Sequence, residues 1–287
     1  MEPMHRPVLE WYADNARELP WRGSGTTPWA VMVSEFMLQQ TPVSRVLPVF
    51  ESWMATWPTP VALAAAPSGD AVRAWGRLGY PRRALRLHAA ASEITDRHDG
   101  EVPRDYGELI ALPGVGDYTA SAIASFAFGG SHAVLDTNVR RVFARAVRGV
   151  EFSGASASKA ERELAESLVP GQDPATWAVA VMELGALVCT AAAPKCAACP
   201  ISDQCAWNTA GRPPYDGPPR RGQAWAGTDR QVRGRLMAVL REAPGSVARS
   251  RLDGVWSDAT QRERALQSLL VDGLAIETDD QRYSLPR

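Results

Sequence analysis

Two carboxylates are placed to do chemistry. Glu35 is the lone acid in an apolar helical stretch, between Trp29/Val33 and Phe36/Met37. An ionised carboxylate is costly to bury, so its pKa is expected to rise. That suits a general acid working near neutral pH. Asp136 follows Val134 and Leu135 and opens a helical pattern at Thr137. As an N-cap it would accept backbone N–H groups, keep a depressed pKa and remain an anion. A raised Glu with a depressed Asp is the acid-plus-anion pair used to cleave a glycosidic bond. The plainer readings are a helix-surface Glu and an ordinary cap.

All four cysteines, Cys189, Cys196, Cys199 and Cys205, lie within 17 residues, spaced C-x6-C-x2-C-x5-C. A secreted disulfide protein would spread its cysteines to staple distant segments. A local group in an intracellular chain reads as a metal or cluster site. Structural zinc usually shows paired short spacings. Six and five are wide for zinc and suit a 4Fe–4S cluster. Four thiolates make a closed site with no open position for substrate.

The string LPGVGDYTA over 112–120 ends one helix at Pro113 and starts another at Asp117. Gly114 and Gly116 allow a tight hairpin, with Val115 between them. Glycines let backbone N–H groups approach an anion, and the new helix N-terminus adds positive partial charge. Two arginine groups accompany it: Arg73, Arg77, Arg82, Arg83 and Arg86, then Arg140, Arg141, Arg145 and Arg148. Charge runs are usually solvated faces. Beside a phosphate-cradling hairpin they are expected to contact DNA.

These groups need elements to hold them. Thr27-Pro28 caps a helix running to Gln40, and helical spacing returns at 43–57, 61–66, 70–78, 81–98, 105–111, 117–128, 137–148, 157–168 and 174–188. A stretch with four prolines and two glycines over 212–224 reads as a stiff linker. Helices are then expected at 228–242, 248–255 and 259–272, followed by two short strands around Asp279-Asp280. This suggests a winged helix, read equally as a DNA or partner contact or as a compact stabilising appendage. Apolar residues make up 45% of the chain, which is ample for a core, and 287 residues suggest two domains or three. No apolar run exceeds six residues, far short of a membrane span. The first residues show no basic-then-apolar signal pattern, so an intracellular protein is expected. The net charge of −1 argues against a generic nucleic-acid coat but leaves local basic clusters free to act.

Together these strings resemble the helix-hairpin-helix DNA glycosylases that carry an iron–sulfur cluster. Within that group the chain is similar to MutY-type adenine glycosylases over about residues 6–211. The carrying motifs are LPWR at 19–22, SEFMLQQT at 34–41, Gly79-Tyr80, the 112–120 string, Leu135 to Arg141, MELGA at 182–186 and the four cysteines. The resemblance implies a mainly α fold. A six-helix barrel domain, 28–135, would be inserted into an iron–sulfur domain built from 1–27 and 136–211. A linker at 212–225 and a winged-helix-like domain at 226–287 would follow. That tail resembles actinobacterial members, and is too short and too helical for the Nudix-like domain of longer relatives.

By the same resemblance, Glu35 protonates adenine at N7 and Asp136 stabilises the oxocarbenium sugar, while Asn138 and Tyr118 line the sugar side. Gln40 and Tyr80 wedge into the base stack. Thr41 and the Leu78 backbone sit near the opposite base. Gly114, Val115, Gly116 and Arg140 contact the DNA backbone, and Cys189, Cys196, Cys199 and Cys205 hold a 4Fe–4S cluster. Related endonuclease III-type enzymes place Lys at position 118 to form an imine. Tyr118 cannot do so, which implies a monofunctional glycosylase that leaves an abasic site. The implied partner is double-stranded DNA with adenine opposite 8-oxoguanine or guanine, met by a monomer in the bacterial cytoplasm at the nucleoid. A thymine–guanine mismatch glycosylase and a catalytically silent DNA-binding protein are the alternatives. An iron–sulfur electron carrier lacks any second cofactor signature. The tail arginines, Arg220, Arg221, Arg230, Arg233 and Arg235, are expected to add phosphate contacts.

Overall fold

The computed structural model describes residues 4–217, 225–278 and 280–287. Several helix starts are set by short polar side chains, Thr27 and Asp136 as the sequence predicts. Helix α1 spans His5–Asn15, and α2 spans Pro28–Leu38 with Thr27 Oγ1 accepting from Ala30 N. Next come α3 (Val43–Thr56), α4 (Pro60–Ala64, capped by Thr59), α5 (Ser68–Trp75), α6 (Arg82–Arg97) and α7 (Tyr106–Ala111). Then follow α8 (Asp117–Phe128), α9 (Thr137–Ala146), α10 (Lys159–Ser167), α11 (Pro174–Leu187) and α12 (Ala206–Thr209). Ser158 and Glu161 form a reciprocal capping box on α10, and Asp173 caps α11 ahead of Pro174.

The tail holds α13 (Asp229–Glu242), β1 (Val247–Ala248), α14 (Arg249–Asp253), α15 (Ala259–Val271), β2 (Ile276–Glu277) and β3 (Arg282–Ser284). The strands form an antiparallel sheet in the order β1-β3-β2. Three helices with a small sheet match the predicted winged helix; β1 is new, because two residues carry no readable alternation. The linker residues Arg220 and Arg221 fall outside the described residues.

The chain packs as two units. The first contains Met1–Met32, Arg104–Ala111 and Val115–Pro219. Its core joins Val8 of α1, Val142 and Phe143 of α9, and Trp177, Val181 and Leu184 of α11. The second contains Val33–Pro103, Leu112–Gly114 and Arg220–Arg287. There Trp53, Leu63, Trp75, Leu87 and Ile94 are fully buried, and the Trp53 and Trp75 rings meet edge to face at 5.7 Å. The division runs through α2 and the 112–116 hairpin, and places the tail in one unit with α3–α6.

In the first unit Glu183 of α11 is fully buried and ties down the amino-terminal segment. Arg17 holds it through Nε at 2.6 Å and Nη2 at 2.7 Å, and Arg22 adds a bond at 3.0 Å. Burial by itself would raise the Glu183 pKa. The Arg17 and Arg22 bonds outweigh it and hold the carboxyl below its ordinary value. The MELGA and LPWR strings are thus partners in one buried ion-pair network.

Candidate active site and cysteine cluster

Asp136 caps α9 from an extended backbone, φ −82° and ψ 179°. Its Oδ1 accepts from Val139 N at 2.6 Å, and its Oδ2 accepts from Asn138 Nδ2 at 2.6 Å. Asn138 is fixed in turn by Arg141, whose Nη2 donates to Asn138 Oδ1 at 2.8 Å and to the Gly185 carbonyl at 2.7 Å. Arg141 Nε donates to the Cys189 carbonyl at 2.6 Å. A relay of polar bonds therefore links the carboxylate to the first cysteine. Gly185 permits it, because a Cβ there would lie 2.7 Å from Asn138 Cβ. Overpacking of that kind typically costs about 1–3 kcal/mol.

The expected depressed pKa of Asp136 is not what the site builds. Desolvation by burial is the largest influence and moves the pKa up, against the opposing bonds from Val139 N and Asn138 and the nearby Arg141 charge. The donors are those expected of a cap, and the burial around the carboxylate outweighs them. Tyr118 of α8 packs at the edge of Ala122, Val134 and Ala178. It brings a phenol, and no amine, to this unit.

Glu35 belongs to the second unit. It is 4% exposed on α2, between the fully buried Ser34 and Phe36. Past the end of α2, Gln40 adopts a left-handed backbone, φ 54°, and is exposed. Thr41 is buried and its hydroxyl donates to the Leu78 carbonyl at 3.3 Å. Tyr80 is also left-handed, φ 48°, and its residue is 52% exposed. Non-glycine residues hold that conformation only where neighbours over-determine it. Gln40, Thr41, Leu78 and Tyr80 thus occupy two adjoining turns, the first and last exposed and the other two buried.

Arg83 holds the two turns together. It is 6% exposed and donates to the Phe36 carbonyl at 2.9 Å and the Gln39 carbonyl at 2.6 Å. It also reaches the Thr41 hydroxyl and the Gly79 carbonyl, each at 3.1 Å. Its guanidinium lies over Trp75 at 5.3 Å and Tyr80 at 5.5 Å. Burial pushes its pKa down to about 10. The sequence reading placed Arg83 among exposed DNA contacts. The signal that finds it is its position beside Ala84 and Leu87 on the apolar face of α6.

Several other arginines are likewise engaged inside the protein. Arg140 is 9% exposed and bonds the Gly154 and Ser156 carbonyls and Glu161, the last at 3.0 Å. Its guanidinium is a buried ion-pair partner of Glu161, where the sequence suggested a contact for the DNA backbone. Arg141 serves Asn138 and Cys189, and Arg145 is 1% exposed. In the tail, Arg233 pairs with Asp272 at 2.6 Å, and Arg235 lies over Trp256 at 4.9 Å. Charge runs fall on one helix face or several, and composition cannot tell which of them a neighbour covers.

In the hairpin, Leu112 and Val115 are buried. Gly114 has φ +80°, and a Cβ there would meet Arg86 Cβ at 2.6 Å and Phe36 Cε1 at 3.1 Å. It is glycine for conformation and for close packing against the neighbour of Glu35. Gly116 has nothing within 4 Å of its would-be Cβ. Its backbone is extended, φ −109° and ψ 178°, so the protein's own packing gives no reason for glycine there.

The four cysteines are free and partly buried, placed after α11, in the 3₁₀ turn Cys196–Ala198, at its end, and ahead of α12. Among the described residues, no group of three or more His, Cys, Asp or Glu side chains is arranged to hold a single metal ion. The thiols nonetheless feel one another: burial, with the charges of Cys189, Cys205 and Cys196, pushes Cys199 up to about 11. Arg145 donates to Cys189 Sγ at 3.4 Å and to the Thr190 carbonyl at 2.7 Å, and lies over the Trp207 ring at 4.7 Å. A buried guanidinium bonded to the Cys189 sulfur fits a group of cysteines held as thiolates.

Residues 33–170 match the HhH-GPD superfamily of base excision DNA repair proteins. The fold agrees. A thermostable thymine-DNA glycosylase superimposes with TM-score 0.67 at 27% identity, covering 73% of this chain and 96% of that one. A DNA complex of endonuclease III does so with TM-score 0.61 at 25% identity, covering 72% and 94%. An adenine DNA glycosylase from Mycobacterium tuberculosis is 54% identical over 281 residues, covering 97% of this chain and 92% of the relative. The human adenine DNA glycosylase is 41% identical over 208 residues, 69% of this chain and 38% of its own length. The chain is therefore a helix-hairpin-helix DNA glycosylase fold of the base excision repair superfamily. Within it, the chain belongs to the adenine DNA glycosylase family, and the mycobacterial match extends that kinship through the tail.

Proposed function

We propose that the chain is a monofunctional adenine DNA glycosylase acting on adenine opposite 8-oxoguanine or guanine in double-stranded DNA. The target base leaves the stack, as base chemistry in a duplex requires. Glu35 delivers its proton to adenine N7. The C1′–N9 bond then breaks, and its electron pair leaves with the base. Asp136, held by Asn138 and Val139 N, stabilises the positive sugar until water adds at C1′ and gives up a proton, which restores the acid form of Glu35. The raised pKa of Asp136 leaves its role intact as long as the carboxylate is ionised at working pH. Tyr118 lines the sugar and offers no amine for an imine, so the strand stays uncut.

Gln40 and Tyr80 enter the stack, with Thr41 and the Leu78 backbone beside the opposite base. Gly114, Val115 and Gly116 cradle a phosphate. Cys189, Cys196, Cys199 and Cys205 hold a 4Fe–4S cluster. That group, when bound, supplies a fixed charged anchor for the 189–205 segment. The enzyme works as a monomer on chromosomal DNA in the bacterial nucleoid. Among the described residues no helix is long and apolar enough to cross a membrane.

The observation that carries this reading is the Asp136 carboxylate fixed by Asn138, in a chain that also buries Glu35. A silent DNA-binding protein has no use for either. The likeness to a thymine-DNA glycosylase keeps one competitor, so the test is a panel of duplexes. Single-turnover release is measured from adenine opposite 8-oxoguanine, adenine opposite guanine, and thymine opposite guanine. Adenine release from the first two, with an intact strand, is expected. Faster thymine release, or borohydride trapping of the protein on DNA, overturns the assignment.

A further inference from the structure

The turn over residues 76–80 is held from two sides. From within, Trp75 Nε1 donates to the Gly79 carbonyl at 3.0 Å, Arg83 reaches the same carbonyl, Thr41 reaches the Leu78 carbonyl, and Arg45 bonds the Arg77 carbonyl. From without, both helices that flank the turn are gripped by the tail. Arg73 of α5 donates to the Arg241 carbonyl and, at 2.8 Å, to the Ala243 carbonyl. Those carbonyls lie at the C-terminal end of α13, where the helix leaves acceptors unpaired and favours a cation. Arg82, at the start of α6, pairs with Asp272 at 3.2 Å, and Asp272 is shared with Arg233 at 2.6 Å. Leu285 and Pro286 lie over the first turn of α5. A Cβ on Gly69 would come within 2.1 Å of the Pro286 carbonyl oxygen and 2.9 Å of Leu285 Cβ.

The tail is not built as a basic surface. Residues 229–287 carry ten arginines against nine carboxylate side chains. Arg233, Arg249, Arg262 and Arg264 are all in ion pairs within the tail. Its connections to α5 and α6 converge on the base of one turn, and that turn presents a left-handed, half-exposed tyrosine. A strained residue of this kind keeps its place only where its supports leave it no alternative.

We propose that the C-terminal module is a brace for the 76–80 turn, and that Gly69, Arg73, Arg82 and Asp272 are positioning residues for Tyr80. The proposal rests on the reading of Tyr80 as the ring that enters the base stack. It replaces the expected phosphate contacts of the tail with a mechanical role.

Three variants of the full chain test it. Gly69→Ala improves α5 as a helix, changes no charge and displaces Leu285-Pro286. Asp272→Asn and Asp272→Arg release Arg82, and the second also adds positive charge. Hydrogen exchange of the 76–83 amides is read first, without DNA, and is expected to quicken at least about tenfold in Gly69→Ala and Asp272→Arg. Single-turnover adenine excision at saturating enzyme is expected to fall roughly tenfold, because small displacements of positioning groups are costly. Affinity for undamaged duplex should stay unchanged, even in Asp272→Arg. In a Tyr80→Ala background the same variants should cost nothing further, as residues acting through one another are not additive.

Unchanged exchange at 76–83 in every variant overturns the brace. Tighter duplex binding by Asp272→Arg with undiminished excision, or additive losses in the Tyr80→Ala background, shows that the tail acts on DNA directly and also overturns it. Should Tyr80→Ala itself excise like the parent while exchange still quickens, the assignment of Tyr80 is what fails, and the functional half of the proposal falls with it.

Discussion

The Arg83 guanidinium donates to the Thr41 hydroxyl at 3.1 Å, and through it α6 governs the turn that follows α2. The same side chain bonds four carbonyl groups, those of Phe36 and Met37 at the end of α2, Gln39 beyond it and Gly79. Arg83→Lys keeps the charge and loses the planar fork, so several buried acceptors lose their donor. Each such loss costs about 1–3 kcal/mol. The urea midpoint should drop measurably at unchanged m-value, and adenine excision should fall with it. A stable variant with normal excision would remove Arg83 from the positioning of either turn.

Glu35→Gln keeps the shape of the site and removes its transferable proton. Duplex affinity should be retained while single-turnover excision drops about 10²–10⁴-fold, the usual worth of a positioned acid. Near-parental excision would take the general-acid role away from Glu35.

Asp136 makes a pH prediction with a definite sign. Its folded pKa is raised above its unfolded value, by burial first. Protonation is therefore favoured in the folded state. The stability this contributes is fully present below the unfolded value, about 3.9, and is lost as pH rises through the folded pKa. Relative to Asp136→Asn, the parent should be most favoured at low pH, then decline and level off. Paired chemical denaturation at a series of pH values measures this. A stability difference that grows with pH would mean the cap bonds dominate after all.

Glu183 behaves in the opposite way. Its folded pKa is lowered, with the bonds from Arg17 and Arg22 overcoming burial. The stability it contributes is present above the unfolded value, about 4.3, and fades as pH falls through the folded pKa. Glu183→Gln leaves two arginines facing a neutral amide, and breaking a buried pair costs about 3–5 kcal/mol. Thermal unfolding at neutral pH should show a large drop in Tm, and its absence would mark the network as dispensable.

The cysteine group predicts its own metal. Anaerobically purified protein should be brown and contain about four iron atoms per chain. Cys199→Ser should lose colour and iron together. Stoichiometric zinc with no visible absorbance would identify a different centre.

Much of this protein was legible in local sequence. Caps at Thr27 and Asp136, the glycines of the hairpin and the spacing of the cysteines all act within a few residues of themselves. Their physics is short-ranged, so the string carries it. The left-handed backbone at Gln40 and Tyr80 carries no such signature, because neither is glycine and both depend on Arg83. The fate of each arginine was also beyond reach of the string. Arg77 and Arg86 are exposed, while Arg83, Arg140 and Arg145 are buried against carbonyls, a carboxylate and a sulfur. A guanidinium binds any of these equally well, and which it meets depends on segments tens of residues away. The direction of the Asp136 pKa turned on the same point. Its donors are local and readable, but the desolvation that outweighs them belongs to the packed environment, and only tertiary structure supplies that.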